Sequence, residues 1–410
     1  MVGACTLCAG VTLGNIYIGQ PLFTVIAADI GTSAAAAQSI ITVSLLGYAA
    51  GLLLLVPLAD RHNPRNLVRM LGSLCAAALA LSALSAGLGL ILTATTLAAM
   101  FSVIPQILIP LVMAEMPPER RAPAMSVILT GMICGIALSR PIFGSIGDYA
   151  GWKPAYVTAA VATLIVSWLA SFTLPVSPRV HRHSYAELFA SMARFIRTSP
   201  ALRTAALRNA ANYAAFNAFW ASLTLLLVSS PFSFSAGRAS LVGLLGVGAT
   251  LAAPFAGKLT AQSGPNTPLF IGLAALLAAI LGFLFGQEDL VVVLVAAFLL
   301  PIAMLYIQIP SQHSALSIDP GAGGRLNTVF MFTTFLGGAI GSQIAGAILP
   351  HWGWTGVCVE AAVFWVLALL LSLATPHRRN SSAEDGMPSP ALDQERVRME
   401  ADRSDFKRLI

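Results

Sequence analysis

Gly135-Ile-Ala-Leu-Ser-Arg140-Pro141-Ile-Phe-Gly144-Ser-Ile-Gly147-Asp148-Tyr-Ala-Gly151-Trp152 decides the architecture, because its skeleton is written twice. Gly135, Gly144 and the pair Gly151-Trp152 return at identical spacings, 202 residues on, as Gly337, Gly346 and Gly353-Trp354. A second echo carries the stretch from Val56 through Asp60 to Arg65 onto Gly257 through Ala261 to Asn266. The chain is therefore two related halves of about 200 residues, each saturated with apolar helix. Internal repeats of membrane helices are the sequence mark of secondary transporters, with the path for solute between the repeats.

Composition points to the same class. Hydrophobic residues make up 57% of the chain and charged residues 10%, with a mean hydropathy of +0.80. A soluble chain carries about a quarter charged residues, so the apolar excess faces lipid. The net charge of +6 does not imply nucleic acid, because the basic residues stand in short connections between apolar runs.

Windows of about 20 apolar residues, enough to cross a ~30 Å hydrocarbon core, number twelve: 3–27, 35–58, 67–86, 89–113, 122–147, 153–174, 204–229, 237–260, 267–286, 289–311, 326–349 and 353–375. The expectation is an all-α membrane protein with twelve transmembrane helices in two pseudo-symmetric six-helix bundles. The bundles are 1–174 and 204–375. Between them lies a cytoplasmic linker, 175–203, and after them a charged cytoplasmic tail, 376–410, read as disordered. With the N-terminus inside, 20 of the 23 Lys and Arg residues fall in cytoplasmic segments, which predicts both termini in the cytoplasm. In the linker, Tyr185, Leu188, Phe189, Met192, Phe195 and Ile196 share one helical face, predicting an amphipathic helix on the inner leaflet.

Charges inside the spans are few, and each is a functional candidate by default. Arg140 lies deep in the fifth span, and both a helix-linking role and a coupling or substrate role are open to it. Asp29, near the outer end of the first span, is its candidate partner and the first choice for a proton carrier; Asp148 is the other. Glu360 in the twelfth span reads as structural. The seventh span carries Asn209, Asn212, Tyr213, Phe216, Asn217 and Trp220 on one face of an otherwise apolar helix. Amides and aromatics with little fixed charge suit a neutral or amphipathic organic solute.

Several stretches resemble the major facilitator superfamily. Leu58-Ala59-Asp60-Arg61, followed by Arg65, looks like its signature loop, with the degenerate copy where that family repeats it. Gly131, Gly135, Arg140-Pro141 and Gly144 resemble the antiporter helix of its drug-efflux branch. Asn15-Ile-Tyr17-Ile-Gly-Gln20-Pro21, Pro117-Pro-Glu-Arg-Arg121 and Arg325-Leu-Asn327 look like one bacterial group of that branch. The resemblance covers residues 3 to 375. It departs at Val56, Asn63 and Pro64, where the signature loop carries other residues, and the fourth span offers Pro105-Gln106 where drug antiporters commonly carry Arg. The resemblance implies that Asp60 caps the start of the eleventh span, held by nearby Arg, and that spans one, four, seven and ten line the path. Asn15, Tyr17 and Gln20 of the first span, Gln106 of the fourth, and Tyr306, Gln308 and Gln312 of the tenth then join the seventh-span face as cavity candidates.

The functional expectation is a monomeric, proton-coupled exporter of small organic molecules in a bacterial inner membrane, in contact with lipid. Two other readings stay open: an uptake symporter for a sugar, nucleoside or organic acid, and a transporter-like sensor that binds without moving solute. No catalytic set, nucleotide-binding loop or metal-spaced cluster is present in the sequence, so neither enzyme chemistry nor a cofactor or metal is expected.

Overall fold

The computed structural model describes residues 1–60, 62–175 and 185–374, and every regular element among them is a helix. Arg61, the linker segment before Tyr185 and the expected charged tail lie outside the described residues. Met1–Ser372 forms one compact unit.

Ten helices are long and apolar enough to cross a bilayer, and a bent pair, Val2–Tyr17 with Gly19–Ile30, makes eleven. One of these, Gly323–Leu373, is 51 residues long. At about 1.5 Å per residue it would measure about 76 Å if straight, far more than one ~30 Å core. It is not straight: Gly353, with φ 60° and ψ −159°, turns a corner inside it. The run is thus an eleventh and a twelfth span, and the expected twelve are reached.

That corner is the repeat seen in the sequence. Gly151, between the fifth span (Pro123–Ala150) and the sixth (Trp152–Thr173), has φ 85° and ψ 172°. Both glycines occupy a backbone region essentially closed to other residues. After each, a largely buried tryptophan is tied down: the Trp152 indole donates to Asp29 at 2.9 Å, and the Trp354 indole to the Phe283 carbonyl at 3.0 Å.

Prolines set the other breaks. Pro21 lacks an N–H, and its ring clashes with the carbonyl four residues earlier, Tyr17. The first span accordingly tightens to a 3-10 turn over Asn15–Tyr17 and bends by 42°. Pro105 acts likewise on Phe101: the fourth span, Leu88–Glu115, breaks between Leu88–Phe101 and Ile104–Glu115.

The halves are each locked by helices in bare-backbone contact. A Cβ on Gly135 would stand 2.1 Å from the Gly10 carbonyl oxygen, and one on Gly10 would stand 2.6 Å from that of Gly131. The second half repeats the crossing of its first and fifth helices: Gly337 approaches Ala210 and Gly341 approaches Ala214, with 2.3 and 2.2 Å left for a Cβ. Without a hydrophobic drive between helices in lipid, such close packing is a main source of association.

The linker helix, Tyr185–Thr198, packs part of its apolar face on protein, while Ile196 is 44% exposed. Met192 is buried with Leu202, Ala315, Leu326 and Phe330, and Phe189 and Phe195 pack on the same cluster. Arg325 donates to the Ser191 hydroxyl at 2.7 Å and stacks on Phe195. The helix therefore straps the start of the eleventh span.

Overpacking a tight crossing destabilises by about 1–3 kcal/mol. Gly135→Ala and Gly337→Ala are each expected to lower the thermal unfolding midpoint in detergent. Gly89→Ala, where no atom lies within 4 Å of the added carbon, is the control and should leave the midpoint unchanged.

Candidate functional site

The two halves meet on aromatic rings around one charge. Arg140 is 6% exposed. Its Nε donates to Gln20 Oε1 at 2.7 Å, and its Nη1 reaches the Ile136 carbonyl at 3.5 Å. The guanidinium lies 5.0 Å from the Tyr17 ring centroid and 4.6 Å from that of Trp220. Tyr17 and Gln20 belong to the first half and Trp220 to the second, so the charge is held across the boundary. The hydroxyls of Tyr17 and Tyr213 hydrogen-bond to each other beside it.

Local structure explains why these groups converge. The 3-10 turn at Asn15–Tyr17 swings Tyr17 and Gln20 around the first span. The Gly10–Gly135 crossing brings the fifth span close enough for Arg140, five residues on, to reach them. From the other half, Tyr213, Phe216 and Trp220 recur at helical spacing on the seventh span, Pro200–Val228. Tyr213 stacks on Phe216 with centroids 5.8 Å apart, and Phe216 meets Trp220 at a tilt of 50° with centroids 6.0 Å apart. Gly243 of the eighth span lies against the Arg140 side chain, leaving 3.0 Å for a Cβ.

Arg140 does not pair with either expected acid. Asp29 is half-exposed, bonded to Trp152 and ion-paired with Lys153 at 3.7 Å. Asp148 accepts from the Gly237 N–H at 2.8 Å. Asp29 thus secures the corner before the sixth span, and Asp148 secures the start of the eighth. Glu360 is buried, with no hydrogen-bond partner for either carboxylate oxygen.

The amide candidates divide. Asn15 donates to Thr163 at 2.8 Å, Asn209 to Thr334 at 2.9 Å, and Gln312 to Asn327 at 2.7 Å. Asn212 reaches the Met304 carbonyl at 3.3 Å, and Asn217 bonds its own helix at Tyr213. These side-chain nitrogens tie helices or turns within one half and do not join the Arg140 cluster. Gln106 donates to the Tyr48 hydroxyl at 3.4 Å, and Gln308 and Tyr306 are half-buried. Of the antiporter-like residues, Gly135 packs on the first span. Gly144 packs on Ser240 of the eighth, with 2.4 Å left for a Cβ, and Pro141 is buried beside Arg140. In the signature loop, Asn63 caps the third span by accepting from the Arg65 N–H, and Arg65 stacks on Phe172. Asp60 closes a 3-10 turn, Val56–Asp60; its side chain lies outside the described set.

Sequence reasoning missed Arg208, counted as a loop charge. It is 4% exposed and donates to Ser311 at 3.0 Å. It also missed Gln38 and Thr42 of the second span, which meet Ser222 and Ser342 of the other half at 3.5 and 3.4 Å.

Two cavities flank this boundary. A small one touches Gln20, Arg140, Trp220, Leu223, Thr224 and Ser240. A larger one, about 420 Å³, is lined by Gln38, Leu226, Gln287, Gly346, Pro350 and Trp354 among others. It lies at the end of the bundle away from Met1, among the connections that follow the first, seventh, ninth and eleventh spans. Its volume falls in the range of organic-ligand pockets, about 300–1,000 Å³. Around the small cavity several buried N–H groups lack partners, each an expense of about 1–3 kcal/mol if left so.

Known proteins agree with this architecture. Residues 5–342 match the Major Facilitator Superfamily. A "Probable transporter SCO4007" from Streptomyces coelicolor is 35% identical over 373 residues, covering 91% of this chain and 86% of that protein. A "Putative uncharacterized transporter YgaY" from Escherichia coli strain K12 is 31% identical, covering 92% and 96%. Among solved structures, the nucleoside transporter NupG aligns with a TM-score of 0.73 at 15% identity, over 91% of this chain and 98% of that one. A D-xylose-proton symporter gives 0.73 at 13%, over 92% and 97%.

The tyrosine pair is the direct polar link beside the charge. Tyr17→Phe and Tyr213→Phe are each expected to lower stability by about 1 kcal/mol. In a double-mutant cycle read by thermal unfolding, the two losses should fail to add by at least about 0.5 kcal/mol.

Proposed function

The chain belongs to the Major Facilitator Superfamily, and from that premise we propose that it is a secondary active exporter of small organic molecules, driven by protons. It works as a monomer in a bacterial inner membrane, with both termini in the cytoplasm. The observation that carries the transport reading is the Arg140 cluster. A buried cation is stacked between aromatic rings of both halves, beside a cavity and a boundary held by few polar contacts.

Alternating access requires the halves to change their contact without either half unfolding. Within each half, bare-backbone crossings resist sliding. Between them, the contacts include hydroxyl pairs, one amide and aromatic rings, each worth about 1 kcal/mol beyond burial, together with the Asp148 carboxylate on the Gly237 N–H and the packing of Gly144 on Ser240. The boundary is thus the softer place. The two bundles, 1–174 and 204–375, are the bodies that would move.

Export is supported by the resemblance of Gly135, Arg140-Pro141 and Gly144 to the antiporter helix. In the fold this helix runs against the eighth span through Gly144 and Ser240, and Asp148 and Gly237. The contact is made of small residues near the Arg140 cluster, where a seal between the halves would sit. Coupling to protons needs a group that changes charge during the cycle. Asp29 remains the candidate acid; an exposed ion pair such as its contact with Lys153 is worth only ~0–1 kcal/mol, so it can be broken at little cost.

The test is uptake of a panel of dyes and drugs into inverted membrane vesicles expressing the full chain, with and without a protonophore. Uptake that collapses with the protonophore is expected. Arg140→Ala should remove it, and Asp29→Asn should remove its dependence on the pH gradient. Accumulation in right-side-out vesicles only would replace export with uptake. An Asp29→Asn protein with unchanged pH dependence would discard Asp29 as the carrier.

A further inference from the structure

Three residues that line the same small cavity each carry a side-chain N–H group with no partner among the described residues. These groups are Arg140 Nη2, Gln20 Nε2 and Trp220 Nε1, on residues 6%, 2% and 5% exposed. Buried donors in native proteins are nearly always satisfied, and each exception calls for an explanation. The Gln20 carbonyl oxygen is already used by Arg140 Nε at 2.7 Å, so Gln20 can offer only its amide hydrogens. The unpartnered groups on these three residues are therefore donors, around a guanidinium that makes no ion pair among the described residues. Asp29 and Asp148 are engaged elsewhere.

From this geometry we infer that Arg140, Gln20 and Trp220 form a subsite for the carboxylate of an amphipathic organic acid. Carboxylate oxygens accept from guanidinium, amide and indole without offering a donor of their own. A single positive charge suits one negative charge; a phosphate dianion would call for a second cation. Pro21, Leu223, Ala239 and Gly243 wall the cavity beside the side chains of Thr224 and Ser240, and Trp220 lines it, so the bearer of the carboxylate is largely apolar. The cavity has room for one oxygen-sized group. One carboxylate oxygen enters, and the rest of the ligand stays outside, toward the boundary between the halves. This deepens the transport reading and rests on it for calling the acid a substrate.

Binding by the full chain in lipid nanodiscs tests the inference, read by tryptophan fluorescence and thermal unfolding. The probes are benzoate and octanoate, the neutral benzamide and octanamide, and nitrate. The carboxylates should bind saturably and raise the unfolding midpoint, and the amides should not. Gln20→Leu and Trp220→Phe should each weaken carboxylate binding about tenfold. Trp220→Phe should not lower the midpoint without ligand, since it removes an N–H that bonds to nothing and keeps a ring against Arg140; Gln20→Leu also removes the acceptor of Arg140 Nε and should lower it. Equal binding of acids and amides, or unchanged affinity in Trp220→Phe, overturns the subsite. Nitrate binding as tightly as benzoate overturns the organic ligand in favour of an inorganic ion. Transport of neutral dyes with no carboxylate binding sinks the subsite and leaves the transporter. Carboxylate binding without movement of any solute, acids included, does the reverse.

Discussion

The close crossing of the first helix with the fifth in each half governs the rest of the structure. Gly10 and Gly135, and then Ala210 and Gly337, leave no room for a side-chain carbon between backbones. That contact fixes depth and rotation together, because a helix that slid or turned would drive a larger side chain into the gap. Arg140 reaches Tyr17 and Gln20 because it stands five residues past Gly135. In the second half, Gly338 lies against the Tyr213 ring, next to the glycine that makes the crossing. The same packing device therefore positions both faces of the boundary.

On that frame, Arg140 puts a charge at the boundary that pairs with no acid among the described residues. Placing Arg inside a bilayer costs about 2.5–3.5 kcal/mol on insertion scales. Part of this is offset by two aromatic faces, each worth ~0.5–2 kcal/mol when desolvated, and by the Gln20 carbonyl. One ring comes from each half. Moving the halves apart would remove Trp220 from the guanidinium while Tyr17 stays, so the environment of the charge depends on the contact between the bundles.

The fold was legible in the sequence because its determinants are small and repeated. Glycines at matching positions announced both the crossings and the corners at Gly151 and Gly353, and apolar run lengths gave the spans. The candidate site was legible only in part. Arg140, Tyr17, Gln20, Tyr213 and Trp220 were singled out for polarity in apolar runs, and the structure gathers them. Asn15, Asn209 and Gln312 carried the same signal, yet their amides join helices inside one half. Periodicity shows which face of a helix is polar, but not which neighbour meets that face. Arg208 was missed for a related reason: near the end of a span, a charge reads as loop until the partner, Ser311, is known. The strap at Tyr185–Thr198 shows the same limit, since an amphipathic face reads alike whether lipid or protein covers it.

The corner at Gly353 also bears on where the last acid sits. A single residue turns the eleventh span into the twelfth, so no loop takes up slack between them and an axial shift of one is passed to the other. Glu360, seven residues past the corner, is buried in an apolar helix, and the short tether gauges its depth. A side chain at position 353, strained at φ 60°, would loosen that gauge.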